Sequence, residues 1–286
     1  MKVIKSFGGL GNQMFQYAFY LYMKKNNDDV LFDISDFTIH KYHQGYELDR
    51  IFKIKADEVN RKAVRYLSVN QESKIIRAVH KLFGLKVCRD SEVYEIKGVF
   101  EVPFHKIKAD VVMRGTWQNS RYIVPIDSEI RKIFCFPELD ARNKDILNNF
   151  KKYTTVSLHV RRGDYLNTST YAGICTKDYY EKALAFFKNI RFEKPLKVIV
   201  FSDDIPWCRQ EYASVNCEFV DWNKGENSYR DMQLMSLCDH NIIANSSFSW
   251  WGAYLNNNKE KVVIMPKIWE KGIDGNELVF DNCITM

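Results

Sequence analysis

Residues 159–165, His-Val-Arg-Arg-Gly-Asp-Tyr, set two guanidiniums, a glycine, a carboxylate and an aromatic ring directly after a strand-like run over 154–160. A guanidinium is always charged, and its planar fork matches two phosphate oxygens at once. A strand ending in such a cluster carries those forks to the mouth of a sheet, where α/β proteins hold nucleotides. A solvated loop could contain the same residue types, so three further segments matter.

Gly8-Gly9-Leu10-Gly11-Asn12-Gln13 is a glycine turn that opens a helix, which brings backbone N–H groups and a positive helix end toward a ligand. Met14 stands where a dinucleotide fingerprint needs its last glycine, and no Gly-Lys-Ser/Thr follows, so neither that motif nor a P-loop is present. Phe201-Ser202-Asp203-Asp204 closes a second strand-like run. Its carboxylates can accept hydrogen bonds from sugar hydroxyls, bind a divalent ion beside phosphate, or cap a helix. Asp231 lies near the start of a helical segment over 229–238. Asn245, Ser246 and Ser247 then join a strand-like run over 241–244 to a helical one over 249–255. Hydroxyls and free N–H groups at a helix start suit an anion, although Trp250 and Trp251 also fit an ordinary core helix. Three strand ends in the second half thus present groups suited to phosphate or hydroxyl contact. His80 and His105 have no partner pattern and are expected to be structural or exposed.

The elements that must position these groups alternate. The first half opens with a strand at 2–7, the glycine turn, a helix over 12–25 with Met14, Tyr17, Ala18, Leu21 and Tyr22 at helical spacing, and a strand at 30–33. A basic, helix-prone stretch covers 60–84, a strand 111–117, and helices 127–134 and 137–149. In the second half, strands at 154–160, 196–202, 217–220, 241–244 and 261–265 alternate with helices at 176–188, 229–238 and 249–255. Repeated β-α units predict a parallel sheet with right-handed crossovers. The expected domains are 1–150 and 151–286.

The net charge of +6 suits an anionic ligand or a negatively charged membrane surface. It is too dispersed for a nucleic-acid footprint, so no nucleic acid is expected. Seven cysteines, an odd number with no Cys-x-x-Cys pair, argue against a zinc cage and a disulfide framework, and so predict reduced thiols in the cytoplasm. No apolar run approaches the roughly 20 residues needed to span a bilayer, and the chain opens on a core strand rather than a signal peptide. Any membrane contact is expected to be peripheral, at the inner face.

With these segments in view, the chain resembles the bacterial galactoside α-1,2-fucosyltransferases of glycosyltransferase family 11. Residues 8–19, 159–165, 201–204 and 245–255 match the family pattern in order and span nearly the whole chain. The resemblance implies an α/β fold of GT-B type, two Rossmann-like domains facing across a cleft, the first on the acceptor side and the second holding the donor. It implies GDP-β-L-fucose as donor, no cofactor, no metal, and inverting transfer to the 2-OH of a terminal β-galactoside. The acceptor would be a galactose-terminated oligosaccharide or lipid-linked surface glycan. Arg161 and Arg162 would hold the pyrophosphate, Arg161 being expected to meet the charge growing on the leaving GDP, with His159 and Asp164 bracing the loop or touching the donor. Asp203, Asp204 and Asp231 would meet fucose, ribose or guanine. Asn245, Ser246 and Ser247 would line the phosphates. Gly9, Gly11 and Asn12 would face the donor from the first domain, and Gln13 the acceptor.

A general base would assist the attacking hydroxyl. Asp33, Asp36, Glu47 and His159 are candidates, and spacing singles out none of them. Two other readings stay open: another GDP-sugar or an α-1,6 linkage on the same fold, and a non-catalytic glycan- or nucleotide-binding protein. Acceptor choice is expected to lie in the loops at 40–50 and 68–91.

Overall fold

In the computed structural model, residues 1–26, 29–39, 43–57, 91–97 and 110–286 are described, with the single positions 59, 64, 67 and 82. Most of the stretch over 60–84, His80, His105 and most of the 68–91 loop lie outside the described residues. The chain divides into two compact units, Met1–Cys135 and Phe136–Met286.

In the first unit, β1 (Lys2–Lys5) leads into α1 (Leu10–Asn26), then β2 (Val30–Asp33), α2 (Asp36–Ile39), α3 (Glu47–Phe52), β3 (Glu92–Tyr94), β4 (Val111–Arg114) and α4 (Asp127–Ile133). The sheet order is β2-β1-β4-β3 with every pairing parallel. Helix α1 starts two residues earlier than its apolar spacing suggests, because the carbonyl of Gly9 already accepts the amides of Asn12 and Gln13 at 3.0 and 3.1 Å. Met14, Phe15, Ala18 and Phe19 of α1 are fully buried, and Phe19 stacks on Trp117 with centroids 4.1 Å apart.

The second unit runs α5 (Ala141–Phe150), β5 (Thr154–Val160), α6 (Lys177–Lys188), β6 (Leu196–Ser202), α7 (Ile205–Glu211), β7 (Cys217–Val220), α8 (Tyr229–Met235), β8 (His240–Ile242), α9 (Ser247–Tyr254), β9 (Val263–Met265), β10 (Ile268–Glu270), β11 (Ile273–Asp274) and β12 (Cys283–Thr285). Six strands form one parallel sheet in the order β12-β9-β8-β5-β6-β7. Strand side chains alternate between faces. Val156, Leu158, Val160, Val198 and Val200 accordingly pack with Tyr179, Tyr180, Ala183, Leu184 and Phe187 of α6. On the other face, Ile199 and Phe201 pack with Ile146 and Phe150 of α5 and Leu234 and Met235 of α8. A sheet covered on both faces explains the near-continuous apolar run of β6.

The unit boundary therefore falls at 135/136, ahead of α5, and not at 150. Leu139, Ile146 and Phe150 belong to the second unit's core. Asp140 starts that helix by accepting the amide of Asn143 at 2.9 Å. The short strands β10, β11 and β12 had no sequence signal in the analysis above. Both units are parallel α/β units of Rossmann type, the pair from which GT-B glycosyltransferases are built.

Candidate active site

The second sheet has one topological switch. From β5 the chain steps outward to β6 and β7, then returns to lay β8, β9 and β12 on the other side. In open α/β sheets ligands bind beyond the C-terminal strand ends at such a switch. The loops leaving β5 and β8 flank it, and β6 ends beside them, since Val160 pairs with Ser202 and Leu158 with Ile242. The three predicted polar strand ends thus come to one sheet edge.

The arginine loop is held from β6. The carboxylate of Asp203 accepts the backbone N–H of Arg162 at 2.9 Å and pairs with the Arg161 guanidinium at 3.1 Å. Asp164 takes a second edge of Arg161 at 2.6 Å. Asp204 caps α7 by accepting the amide of Trp207 at 3.2 Å, and its other oxygen takes Nε of Arg162 at 3.1 Å. Asp203 and Asp204, expected at sugar or ribose hydroxyls, here brace the arginines. Gly163 leaves room for the Asp203 carboxylate beside the loop, because a Cβ there would lie 2.5 Å from its Oδ2.

Ser246 is the N-cap of α9 and makes no side-chain cap bond, so its hydroxyl is not spent on the helix start. Ser247 opens that helix and is half-buried. Asn245 departs from its expected role. It is buried, its amide N–H donates to the carbonyl of Trp269 at 3.1 Å, and its side-chain oxygen accepts from the Cys175 thiol at 3.3 Å. It anchors the loop instead of facing a donor. Trp250 and Trp251 are fully buried core.

His159 is buried beside Phe248, with ring centroids 5.9 Å apart. Its Nδ1 has no partner among the described residues. Burial, with Arg161 nearby, pushes its pKa down to about 3, so the imidazole is neutral and a poor general base at neutral pH. Asp231 belongs to a separate polar chain: Asn223 donates to it at 2.8 Å and exchanges hydrogen bonds with Asn143, which also accepts from Trp222. Burial pushes its pKa up to about 7, against the opposing Asn223 bond. Asp231 keeps some exposed surface in spite of that enclosure.

In the first unit Gln13 is a correction. It is fully buried, its amide N–H groups donate to the carbonyls of Gly8 and Gly45 at 2.9 Å each, and its oxygen accepts the amide of Glu47 at 2.8 Å. Every arm of the side chain is committed to backbone, so it clamps the 45–47 loop to the glycine turn and does not face an acceptor. Gly11 is buried in the first turn of α1, a Cβ on Gly9 would lie 3.1 Å from the His43 ring, and Asn12 accepts from Gln118 at 2.8 Å.

The carboxylate candidates for a base are similarly engaged. Lys5 is buried between Asp33 at 2.6 Å and Asp36 at 2.7 Å, and Arg114 holds Asp36 at 3.2 Å. Glu47 is buried, which raises its pKa, and it bonds Arg50 and the Leu10 amide. Sequence reasoning missed the Lys5 cluster and Trp207. A Trp three residues after a capping Asp was the available signal for the latter.

The sequence profile of Glycosyl transferase family 11 matches residues 1–273. The chain belongs to glycosyltransferase family 11. An Escherichia coli alpha-1,2-colitosyltransferase is 33% identical over 282 residues, covering 96% of this chain and 94% of that protein. A bovine galactoside 2-alpha-L-fucosyltransferase is 35% identical over 114 residues, 38% of this chain and 30% of its own length. The Bradyrhizobium fucosyltransferase NodZ shares the fold, with a TM-score of 0.50 at 14% identity over 88% of this chain and 90% of that one. The family 11 enzyme described here is thus a glycosyltransferase related to α-1,2-fucosyl- and colitosyltransferases. Among its described residues, no helix is long and apolar enough to cross a membrane.

Proposed function

We propose that the enzyme moves L-fucose from GDP-β-L-fucose to the 2-OH of a terminal β-galactoside in a surface glycan, with inversion and without a metal. The carrying observation is the Arg161–Arg162 pair at the sheet's switch point, braced by Asp203 and Asp204. Guanidiniums held there suit a pyrophosphate and would stabilise the negative charge that grows on departing GDP. Arg162 offers its terminal nitrogens directly, whereas Arg161 must exchange Asp164 for phosphate. Ser246 and Ser247 would add hydroxyls at the start of α9, and Asp231 would meet guanine or ribose. The two named relatives, one colitosyl and one fucosyl, share a 1,2 linkage in their names, which supports that regiochemistry.

Attack would come from the acceptor hydroxyl on the face opposite GDP. Asp33, Asp36, Glu47 and His159 are buried or ion-paired, which favours a mechanism carried by leaving-group stabilisation, with weak base assistance. A colitosyl donor is the second reading, favoured by the full-length similarity to the Escherichia coli enzyme.

The test is GDP release from GDP-fucose with and without lactose, in EDTA, with product linkage read by NMR and the colitosyl donor run in parallel. Lactose-dependent release with an α-1,2-fucosyl product is expected. Turnover confined to the colitosyl donor would replace the donor assignment, and strict dependence on Mg²⁺ or Mn²⁺ would overturn the metal-free mechanism.

A further inference from the structure

Arg162 is held on three sides. Its backbone N–H is fixed by Asp203 at 2.9 Å and its Nε by Asp204 at 3.1 Å. Its guanidinium carbon lies 3.9 Å from the centre of the Trp207 ring. The two terminal nitrogens have no acceptor among the described residues. Trp207 is itself anchored: its amide donates to the same Asp204 carboxylate that takes Arg162, and its ring packs against the core that contains Cys208 and Tyr212.

One turn of α7 therefore presents a carboxylate and an indole to the same guanidinium. A free arginine samples many rotamers and loses that freedom when it binds an anion. Stacking on an aromatic face restrains the fork before binding, and a planar guanidinium suits this where an ammonium would not. The restrained edge is Nε, which leaves the Nη edge as the open two-point fork.

We infer that Trp207 is a positioning residue for donor binding: its indole holds the Arg162 guanidinium so that the terminal nitrogens present a preformed fork to the pyrophosphate. Trp207 acts through Arg162 and touches no substrate. The inference rests on the reading of Arg162 as a pyrophosphate ligand.

Calorimetric titration with GDP on wild type, Trp207→Leu, Trp207→Phe, Arg162→Ala and the Trp207→Leu/Arg162→Ala double variant tests it. Trp207→Leu is expected to weaken GDP by about tenfold and Trp207→Phe by less than about threefold, since Phe keeps an aromatic face. In the Arg162→Ala background the leucine substitution should add nothing, because the partner it positions is gone. Equal losses in both backgrounds, or unchanged affinity in Trp207→Leu, would overturn the inference while Arg162→Ala still marks the donor site. If Arg162→Ala binds GDP as wild type does, the donor-site reading falls, and this inference with it. Should Trp207→Leu not fold, Trp207→Tyr and Trp207→His in both backgrounds complete the same cycle. A loss for His that persists without Arg162 counts against the inference.

Discussion

The hydroxyl of Tyr165 donates to the backbone carbonyl of Asn245 at 3.2 Å, tying the loop after β5 to the loop after β8 across the switch point of the sheet. The two loops carry the arginines on one side and Ser246 and Ser247 on the other. Tyr165→Phe keeps the ring, which stacks on Tyr171 with centroids 4.5 Å apart, and deletes the hydroxyl that makes the tie and that also meets the Ser246 side chain. A net hydrogen bond of about 1 kcal/mol predicts a thermal midpoint lower by about 2–4 °C and a GDP affinity reduced by at most about fivefold. Unchanged GDP binding in titration would show that the tie does not set the site.

Gly163 is the point where the arginine loop grazes β6. In Gly163→Ala the new methyl would lie 2.5 Å from Oδ2 of Asp203, so that oxygen has to move from its place against the Arg161 guanidinium, and the carboxylate shifts beside the Arg162 amide. The loop is exposed, and the core beneath it is untouched. Steady-state kinetics should show kcat/KM reduced by about a hundredfold, since displacements of about 1 Å at reacting groups cost that much. Near-wild-type kcat/KM would mean that Asp203 yields without moving the arginines.

Gln13 separates a structural role from a substrate role. Gln13→Ala leaves the carbonyls of Gly8 and Gly45 and the amide of Glu47 without their partner in a buried setting. Unpaired buried groups cost about 1–3 kcal/mol each, and partial relaxation makes a total of about 3 kcal/mol the expected loss. A urea melt should show it as a lower midpoint at unchanged slope. An acceptor contact would instead raise KM for the galactoside and leave the melt alone.

Much of this was legible before any coordinates. The apolar runs of β5 and β6, followed at once by Arg161-Arg162 and Asp203-Asp204, mark buried parallel strands that end in polar loops. The strand order was not legible, because nothing local says that β8 returns beside β5, and so the switch point was hidden. The unit boundary was misplaced because α5 is charged on its open face, and its allegiance is decided by three side chains, Leu139, Ile146 and Phe150, meeting Ile199 and Phe201. Gln13 and Asn245 look like ligand contacts because amides sit beside glycines and serines. Only tertiary structure supplies the backbone groups that consume them. Asp204 showed its carboxylate, but not that one oxygen caps a helix while the other aims an arginine.

His159 and Asp231 give pH dependences of opposite sign. The folded protein holds His159 neutral, with a pKa of about 3 against about 6.5 for an exposed histidine. The unfolded chain therefore binds the extra proton first, and the stability this neutral form contributes is present above about pH 6.5 and lost as pH falls toward 3. For one group the loss is about 1.4 kcal/mol per pH unit in that window. Asp231 is raised to about 7, so it is buried in its neutral form at low pH and destabilises as pH climbs from about 4 to 7. Raw profiles blend the two, and differences between variants separate them. His159→Phe keeps an aromatic ring beside Phe248 and removes the unpartnered Nδ1. Its unfolding free energy minus that of wild type, from urea melts at pH 7.5, 6.5, 5.5 and 4.5, should be flat at the top of the range and rise steadily below 6.5. A flat difference throughout would show that the folded imidazole titrates normally, and a kcat limb near pH 6.5 that disappears in the variant would make it a proton carrier after all.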